Sequence, residues 1–385
     1  MIHSAAFGLR ATLFYSDVGR TVMVKTSPGW GLEKTALKNL TNSIKRLITS
    51  RAGDEAALRR MNAIVEKRPL DINIECTNFC PMQCVFCPNH KAGRAKTVMD
   101  MDLFSKICRD FYALGGGAVG LSAMQSDLFS DNPLPQRLKE LSKYRDLFWV
   151  HSTTNLVGAA SLDDAELELF LRTFSYLEIS IGGLSREEYQ TMFGVNGFDL
   201  VMKQLRRVAR MVEEKDIPIS LDLSIRTNSI WSLGLARIAR IAFPVRSALL
   251  KELKKTYRIH NVINQFFSWG GLITQEDLPK GARLKIVDNS AKRMDCAIPW
   301  ATLSVNTDGR VIGCGCIDWE ARHVIGDMRQ QGSAEVWQGE PGGNFRSCFP
   351  RGDFKDICLD CCLYSPRDRL FANSGLVNYE VTDGI

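Results

Sequence analysis

The sequence predicts an α/β fold of parallel strands followed by a small cysteine-rich module, and three observations carry that expectation. Short β-rich runs alternate with helix-period stretches from Leu70 to about residue 280. After Arg283 the texture changes to hairpin and loop signals. The cysteines, 12 in all, gather mainly in two groups, Cys80 to Cys87 and Cys296 to Cys362. A chain of 385 residues, 45% hydrophobic and 24% charged, has an ordinary globular composition and is long enough to build its own core. That excludes a disulfide-stapled mini-protein.

In chain order, residues 1–69 read as an N-terminal extension with a strand-like opening and basic helical stretches at Leu32–Ile48 and Glu55–Lys67. Residues 70–282 form the main α/β domain. Its strands are expected at Leu70–Glu75, Ala118–Met124, Leu147–His151, Tyr176–Ile181, Pro218–Ile225 and Val262–Ser268. Helices are expected between them at Met101–Leu114, Leu134–Tyr144, Asp163–Phe174, Asp199–Lys215 and Leu233–Tyr257. Such alternation calls for crossover connections between parallel strands. Six strands are too few for a closed eight-fold barrel, so the rhythm fits an open partial barrel or a doubly wound sheet. Residues 283–385 form the second module, in which Ala301–Val305 and Val311–Cys314 flank Asn306-Thr307-Asp308-Gly309 as a hairpin.

The net charge of +6 is a mild excess, and its concentrations at Lys203–Arg210 and Lys251–Arg258 read as solvated helix faces. Nucleic acid is therefore not an expected partner. The most apolar long stretch, Ile230–Leu250, is interrupted by Arg237, Arg240 and Arg246, so no membrane association is expected. With no signal peptide in view, the expected location is cytoplasmic. In a reducing compartment, clustered cysteines read as metal ligands or reactive thiols.

The first group follows directly on the first strand: Glu75-Cys76-Thr77-Asn78-Phe79-Cys80-Pro81-Met82-Gln83-Cys84-Val85-Phe86-Cys87. Three thiolates spaced by three and two residues can wrap a loop around one cubane iron–sulfur cluster and leave one iron open. Zinc is the rival for thiolates, but Cys76 and His90 are the only spare donors nearby and neither sits at a conventional spacing.

This stretch, with Glu75-x-Thr77-Asn78 before its first cysteine, resembles the cluster loop of the radical SAM superfamily. The resemblance implies a partial (β/α)6 TIM-like barrel with Cys80, Cys84 and Cys87 holding a [4Fe–4S] cluster. The fourth iron would be chelated by S-adenosylmethionine. One-electron reduction would cleave the sulfonium and release a 5′-deoxyadenosyl radical that abstracts a substrate hydrogen. It also implies a cofactor pocket at the strand ends. Phe86 would lie near adenine. Met124-Gln125-Ser126-Asp127 stands where the family has Gly-Gly-Glu, with Asp127 offering a carboxylate. Asn155, after Thr153 and Thr154, and Ser180 would face the methionyl carboxylate and ribose. Arg226 would pair with a carboxylate, and Ser268-Trp269-Gly270-Gly271 would close over the nucleoside. Each has a structural alternative, a helix cap or a packed ring.

The second group resembles the SPASM/twitch extension of radical SAM enzymes, through Pro299-Trp300, Asp308-Gly309, Ile325-Gly326-Asp327 and Val336-Trp337. No cysteine follows Cys362, which matches the shorter twitch form. The resemblance implies a small α+β module with one auxiliary [4Fe–4S] cluster on Cys296, Cys314, Cys358 and Cys361. Cys316 is the alternate for Cys314, and Cys362 for Cys361. Cys316 and Cys348 are candidate hydrogen-atom donors, whereas Cys76 and Cys108 read as packed thiols. A zinc ribbon is the structural alternative for the module.

The expected function is dehydrogenation of a carbohydrate- or aminocyclitol-like natural-product intermediate, assisted by the auxiliary cluster. The alternatives are a sugar or peptide epimerase with a cysteine hydrogen-atom donor, and a peptide-modifying maturase. From another class comes a non-catalytic electron-transfer or zinc-binding protein. Expected partners are a small-molecule or peptide substrate and a reductant such as flavodoxin or ferredoxin.

Overall fold

The computed structural model describes residues 2–4, 11–13, 62–121, 126–229, 249, 251–285, 295–349, 351–359 and 361–367. Its centre is six parallel strands: β1 (Asp71–Ile74), β2 (Gly117–Leu121), β3 (Phe148–Thr154), β4 (Tyr176–Gly182), β5 (Ser220–Arg226) and β6 (Arg258–Ile263). They are neighbours in space in the order they occur in the chain. A doubly wound sheet would reverse its strand order at a switch point. This order has no reversal, and the fold is the partial barrel.

Crossover helices follow the strands: α1 (Met101–Ala113), α2 (Leu134–Leu141), α3 (Asp164–Thr173), and the pair α4 (Arg186–Phe193) and α5 (Phe198–Glu214) between β4 and β5. Asp100 caps α1 by accepting the Leu103 N–H. The buried stripe Leu103, Phe104, Ile107, Cys108 and Phe111 then follows the helical period against the sheet. On α5 the stripe is Val201, Met202, Leu205, Val208, Met211 and Val212. Each such apolar side chain removed from water contributes about 1.5–3 kcal/mol. The basic run Lys203–Arg210 lies on this helix, where Arg206 pairs with Glu252 and Arg207 with Asp164. No described helix is long and apolar enough to cross a membrane.

The second module is joined through the sheet. β7 (Thr302–Val305) pairs parallel with β1, Thr302 opposite Asp71 and Val305 opposite Ile74. β8 (Arg310–Ile312) and β9 (Val324–Asp327) extend the sheet antiparallel. The turn Asn306–Gly309 needs φ of 95° at Gly309, which glycine adopts without cost. Five short segments complete the described frame. Asn62–Val65 is helical, as are α6 (Ala297–Ala301), α7 (Ser333–Gln338), α8 (Glu340–Arg346) and α9 (Asp356–Leu359). Trp337 ties this end down by donating from its indole to Val65 O at 2.9 Å.

Two expectations change. The sixth strand begins at Arg258, four residues before the expected Val262, because Arg258 and His260 turn inward to bond Asp222 on β5. The extra helix α4 was not expected. Most of the helix expected at Leu233–Tyr257 lies outside the described residues, as do the basic stretch Leu32–Ile48 and Gln125.

Residues two apart on each strand share a face. On the side opposite the helices, Tyr176 bonds Asp222 at 3.0 Å, Ser224 bonds Glu178 at 2.6 Å, and His151 approaches Asp71 at 3.5 Å. The barrel interior is therefore polar.

Candidate functional site

The loop after β1 is held from four directions. Glu75, at the strand end, forms a two-pronged ion pair with Arg94 (2.6 and 3.2 Å) and accepts the Thr307 N–H at 3.3 Å. Burial pushes its carboxyl above the usual range, while Arg94 and Thr307 hold it back. Thr77 Oγ1 accepts the Phe79 N–H, and the Asn78 side chain bonds Thr97 N and Ala95 O at 2.7 Å each. The Lys96 ammonium donates to Asn78 O at 3.0 Å and to Asn89 Oδ1 at 3.2 Å, clasping both ends of the cysteine stretch. From below, the C-terminus of α4 presents its free carbonyls. Met192 O accepts from Val85 N and Phe193 O from Gln83 N, both at 3.1 Å.

Cys80, Cys84 and Cys87 are each half-buried on this loop. Burial pushes the Cys80 thiol up to about 12, with Asp127 adding to the rise. Burial also raises Cys84 and Cys87. Two cations oppose that rise, Lys96 at Cys80 and Cys87 and Arg226 at Cys84 and Cys87. A thiolate trio here needs positive charge, which a bound metal cluster supplies with release of the thiol protons.

The strand ends converge on the loop. Asn155, after β3, sets its Nδ2 3.9 Å from Cys80 Sγ. Ser180 on β4 accepts from Arg226 Nε at 3.0 Å, and Arg226 also reaches Glu178 at 3.4 Å. The Arg226 guanidinium lies 5.9 Å from the centre of the Phe86 ring. Phe86 itself stacks on Phe266, with centroids 4.7 Å apart and planes 14° from parallel. Ser126 is half-buried beside Asp127. The Asp127 carboxylate, the one offered where the resembled family has Gly-Gly-Glu, is buried and accepts from Thr154 Oγ1 (2.7 Å), Asn155 N (2.8 Å) and Phe129 N (3.1 Å). It clamps the β2 and β3 loops together and holds Asn155 toward Cys80.

The other cysteine group lines a small pocket. Cys296, Cys314, Cys316, Cys358 and Cys361 share its wall with Ile298, Ile317, Phe345, Phe349 and Tyr364 among others. Burial and then Cys314 raise the Cys296 thiol to about 12, and burial and then Cys314 raise Cys358 further. Cys314 is raised first by its hydrogen bond with Cys316 and then by burial. Cys348 is fully buried in the same apolar cluster, and Cys362 is buried as well; neither lines the cavity. No disulfide links any of the twelve cysteines. Among the described residues no three Cys, His, Asp or Glu side chains close on a single ion. Thiols spaced around a cavity suit a cluster that binds each cysteine at a separate iron corner.

Comparison with known proteins bears on both sites. Residues 296–362 match the SPASM model, described as an iron–sulfur cluster-binding domain. The PqqA peptide cyclase of Granulibacter bethesdensis is 21% identical over 301 residues, 71% of this chain and 75% of that protein. A probable GTP 3′,8-cyclase of Saccharolobus islandicus is 28% identical over 165 residues, 41% of this chain and 49% of that protein, so the chain spans about half its length. Among solved structures, BtrN in complex with AdoMet and 2-DOIA superposes with a TM-score of 0.50 at 16% identity, covering 78% of this chain and 96% of that one. The chain resembles radical SAM enzymes that carry a SPASM-type module. Its C-terminal module, residues 296–362, is of the SPASM type, an iron–sulfur cluster-binding domain.

Sequence reasoning missed α4, Lys96 and Arg94, which shape the cysteine loop. Local signals for α4 were present: Ser185 caps its N-terminus by accepting the Glu188 N–H, and Gly194 ends it at φ 70°. No local signal marks Lys96 or Arg94, which meet the loop only after the chain folds back.

Proposed function

We propose that the enzyme oxidises a small polar substrate, a hydroxylated or aminated carbon, by removing a hydrogen atom in the barrel interior. Cys80, Cys84 and Cys87 hold the open cluster, and Cys296, Cys314, Cys358 and Cys361 hold one auxiliary cluster. When bound, the first cluster and S-adenosylmethionine supply the 5′-deoxyadenosyl radical that abstracts the substrate hydrogen. The protein's own share is placement and charge. Arg226 and Ser180 orient a carboxylate at the strand ends, and Asn155 lies against Cys80. Glu178, half-buried in the interior and oriented by Ser224 and Arg226, accepts the proton that an oxidised alcohol or amine must lose, and the auxiliary cluster, when bound, would take the one electron left on the substrate radical.

The observation that carries this reading is the polar face that the parallel strands turn away from the helices, where Tyr176 bonds Asp222, Glu178 meets Ser224 and Arg226, and His151 approaches Asp71; it suits a substrate rich in hydrogen-bonding groups. Anaerobic reconstitution with iron and sulfide, then reduction in the presence of S-adenosylmethionine, should yield 5′-deoxyadenosine. Its absence with both clusters intact overturns the reading. With polyhydroxylated and amino-sugar substrates, one 5′-deoxyadenosine should form per product, and Glu178→Gln should lower product formation by about 10²–10⁴ while 5′-deoxyadenosine still forms. Solvent deuterium at the product carbon would instead favour epimerisation with a thiol such as Cys316.

A second reading is peptide modification, favoured by the similarity to the PqqA peptide cyclase across three quarters of that protein. Under it the exposed side chains Phe79 and Val98, on paired segments next to the cysteine loop, meet a peptide. Cross-linking of a peptide by the reconstituted enzyme, with sugars left unchanged, decides for it.

A further inference from the structure

The loop after β6 carries a tryptophan in a backbone conformation that bulky residues seldom adopt. Trp269 has φ of 52°, followed by Gly270 at 69° and Gly271 at 87°. Left-handed backbone at such a residue persists where surrounding contacts over-determine it. Two independent sets of contacts do so. The indole Nε1 donates to Phe86 O at 2.9 Å, the carbonyl of a residue between Cys84 and Cys87. The ring meets Trp319 edge-on, with centroids 5.3 Å apart and planes at 72°, and packs against the apolar cluster that contains Cys296, Cys314, Cys358 and Cys361. Next to it, a Cβ at Gly270 would stand 3.9 Å from the carbonyl of Ile317, a residue of the cavity wall. One side chain therefore touches the main chain of the first cysteine loop and the segment Cys316–Trp319 that bounds the second site.

We propose that Trp269 is a positioning residue shared by the two iron–sulfur sites, holding the Cys84–Cys87 turn in register with the wall of the auxiliary cavity. This rests on the assignment of both cysteine groups as cluster sites. The N–H serves the first site and the ring serves the second, so the two functions separate by substitution. Trp269→Phe keeps a ring against Trp319 and loses the donor to Phe86. Trp269→Leu loses both.

The test follows iron loss from the reconstituted holoenzyme to a chelator, with each reduced cluster tracked by its own electron paramagnetic resonance signal. In Trp269→Phe the first site should lose iron about fivefold faster, the factor that one lost hydrogen bond is worth, while the auxiliary signal decays as in the wild type. In Trp269→Leu both sites should lose iron faster, and the magnetic coupling between the two reduced clusters should shift. Unchanged loss at the first site in Trp269→Phe overturns the proposal, as does faster loss confined to the auxiliary site. If Trp269→Leu fails to fold, Trp269→Phe decides by itself. A wild-type chain that assembles no cluster overturns the underlying assignment, and that result appears before any variant is compared.

Discussion

Around Cys80, Cys84 and Cys87 stand polar and charged groups, the Asn155 amide, the Asp127 carboxylate, the Lys96 ammonium and the Arg226 guanidinium, beside part of the apolar core. Around Cys296, Cys314, Cys358 and Cys361 the wall is Ile298, Ile317, Phe345, Phe349 and Tyr364. The first group sits on a loop laid across strand ends, facing an interior lined by charge. The second lines a pocket of its own. A site meant to admit a non-protein ligand keeps hydrogen-bonding groups within reach. If the second group holds the proposed cluster, thiols and apolar side chains surround it.

Removing one thiol from each site is the strongest way to break that contrast. Cys84→Ala should abolish 5′-deoxyadenosine formation while the auxiliary cluster's spectrum survives; loss of both signals together would mean that the sites are not separate. The next largest effect belongs to the scaffold of the first loop. Arg94→Met leaves Glu75 buried without its partner and should cost about 3–5 kcal/mol in denaturant unfolding, because a buried carboxylate stripped of its counter-ion is strongly destabilising. A cost near that of a surface pair would show that the loop does not depend on this clasp. Cys358→Ala should be milder for the first half-reaction. Substrate oxidation should fall about 10–100-fold while 5′-deoxyadenosine still forms, measured by product and nucleoside yields in parallel.

The smallest effect lies on the barrel floor. The hydrogen bond that His260 donates to the Asp222 carboxylate raises the His260 pKa, outweighing partial burial. A group whose folded pKa is raised adds stability that is complete below its unfolded value, about 6.5, and is lost as pH rises through the folded value. Melting of the wild type should therefore drop by about 1 °C more than that of His260→Gln between pH 6.5 and 8, a small shift because the ring is half-exposed. Parallel melting curves would remove His260 from the account.

The spacing of Cys80, Cys84 and Cys87 and the alternation of strands were legible because both are local patterns. The order of the six strands in space did not follow from that rhythm, which a doubly wound sheet would share; only the strand pairing settled it. Other features depended on meetings between distant segments. Nothing near Thr302 says that it will pair with Asp71, and nothing near Asp127 says that Thr154 and Asn155 will occupy its carboxylate. His260 was passed over for a further reason. It lies before the β-branched run used to locate the sixth strand, and its alternation with Arg258 makes sense only once Asp222 stands opposite.

The pairing of β7 with β1 has a consequence for how the protein is made. As a chain emerges from Met1 onward, β1 and the cysteine loop behind it appear early, yet one edge of β1 has no partner until residues 302–305 are synthesised. Until then the barrel carries an open edge next to the cysteine loop proposed to receive a cluster, and such an edge invites pairing with other chains. Chains cut before Thr302 should aggregate even though all six barrel strands are present. Cluster loading at the first loop should come late, after the C-terminal strand has sealed the edge.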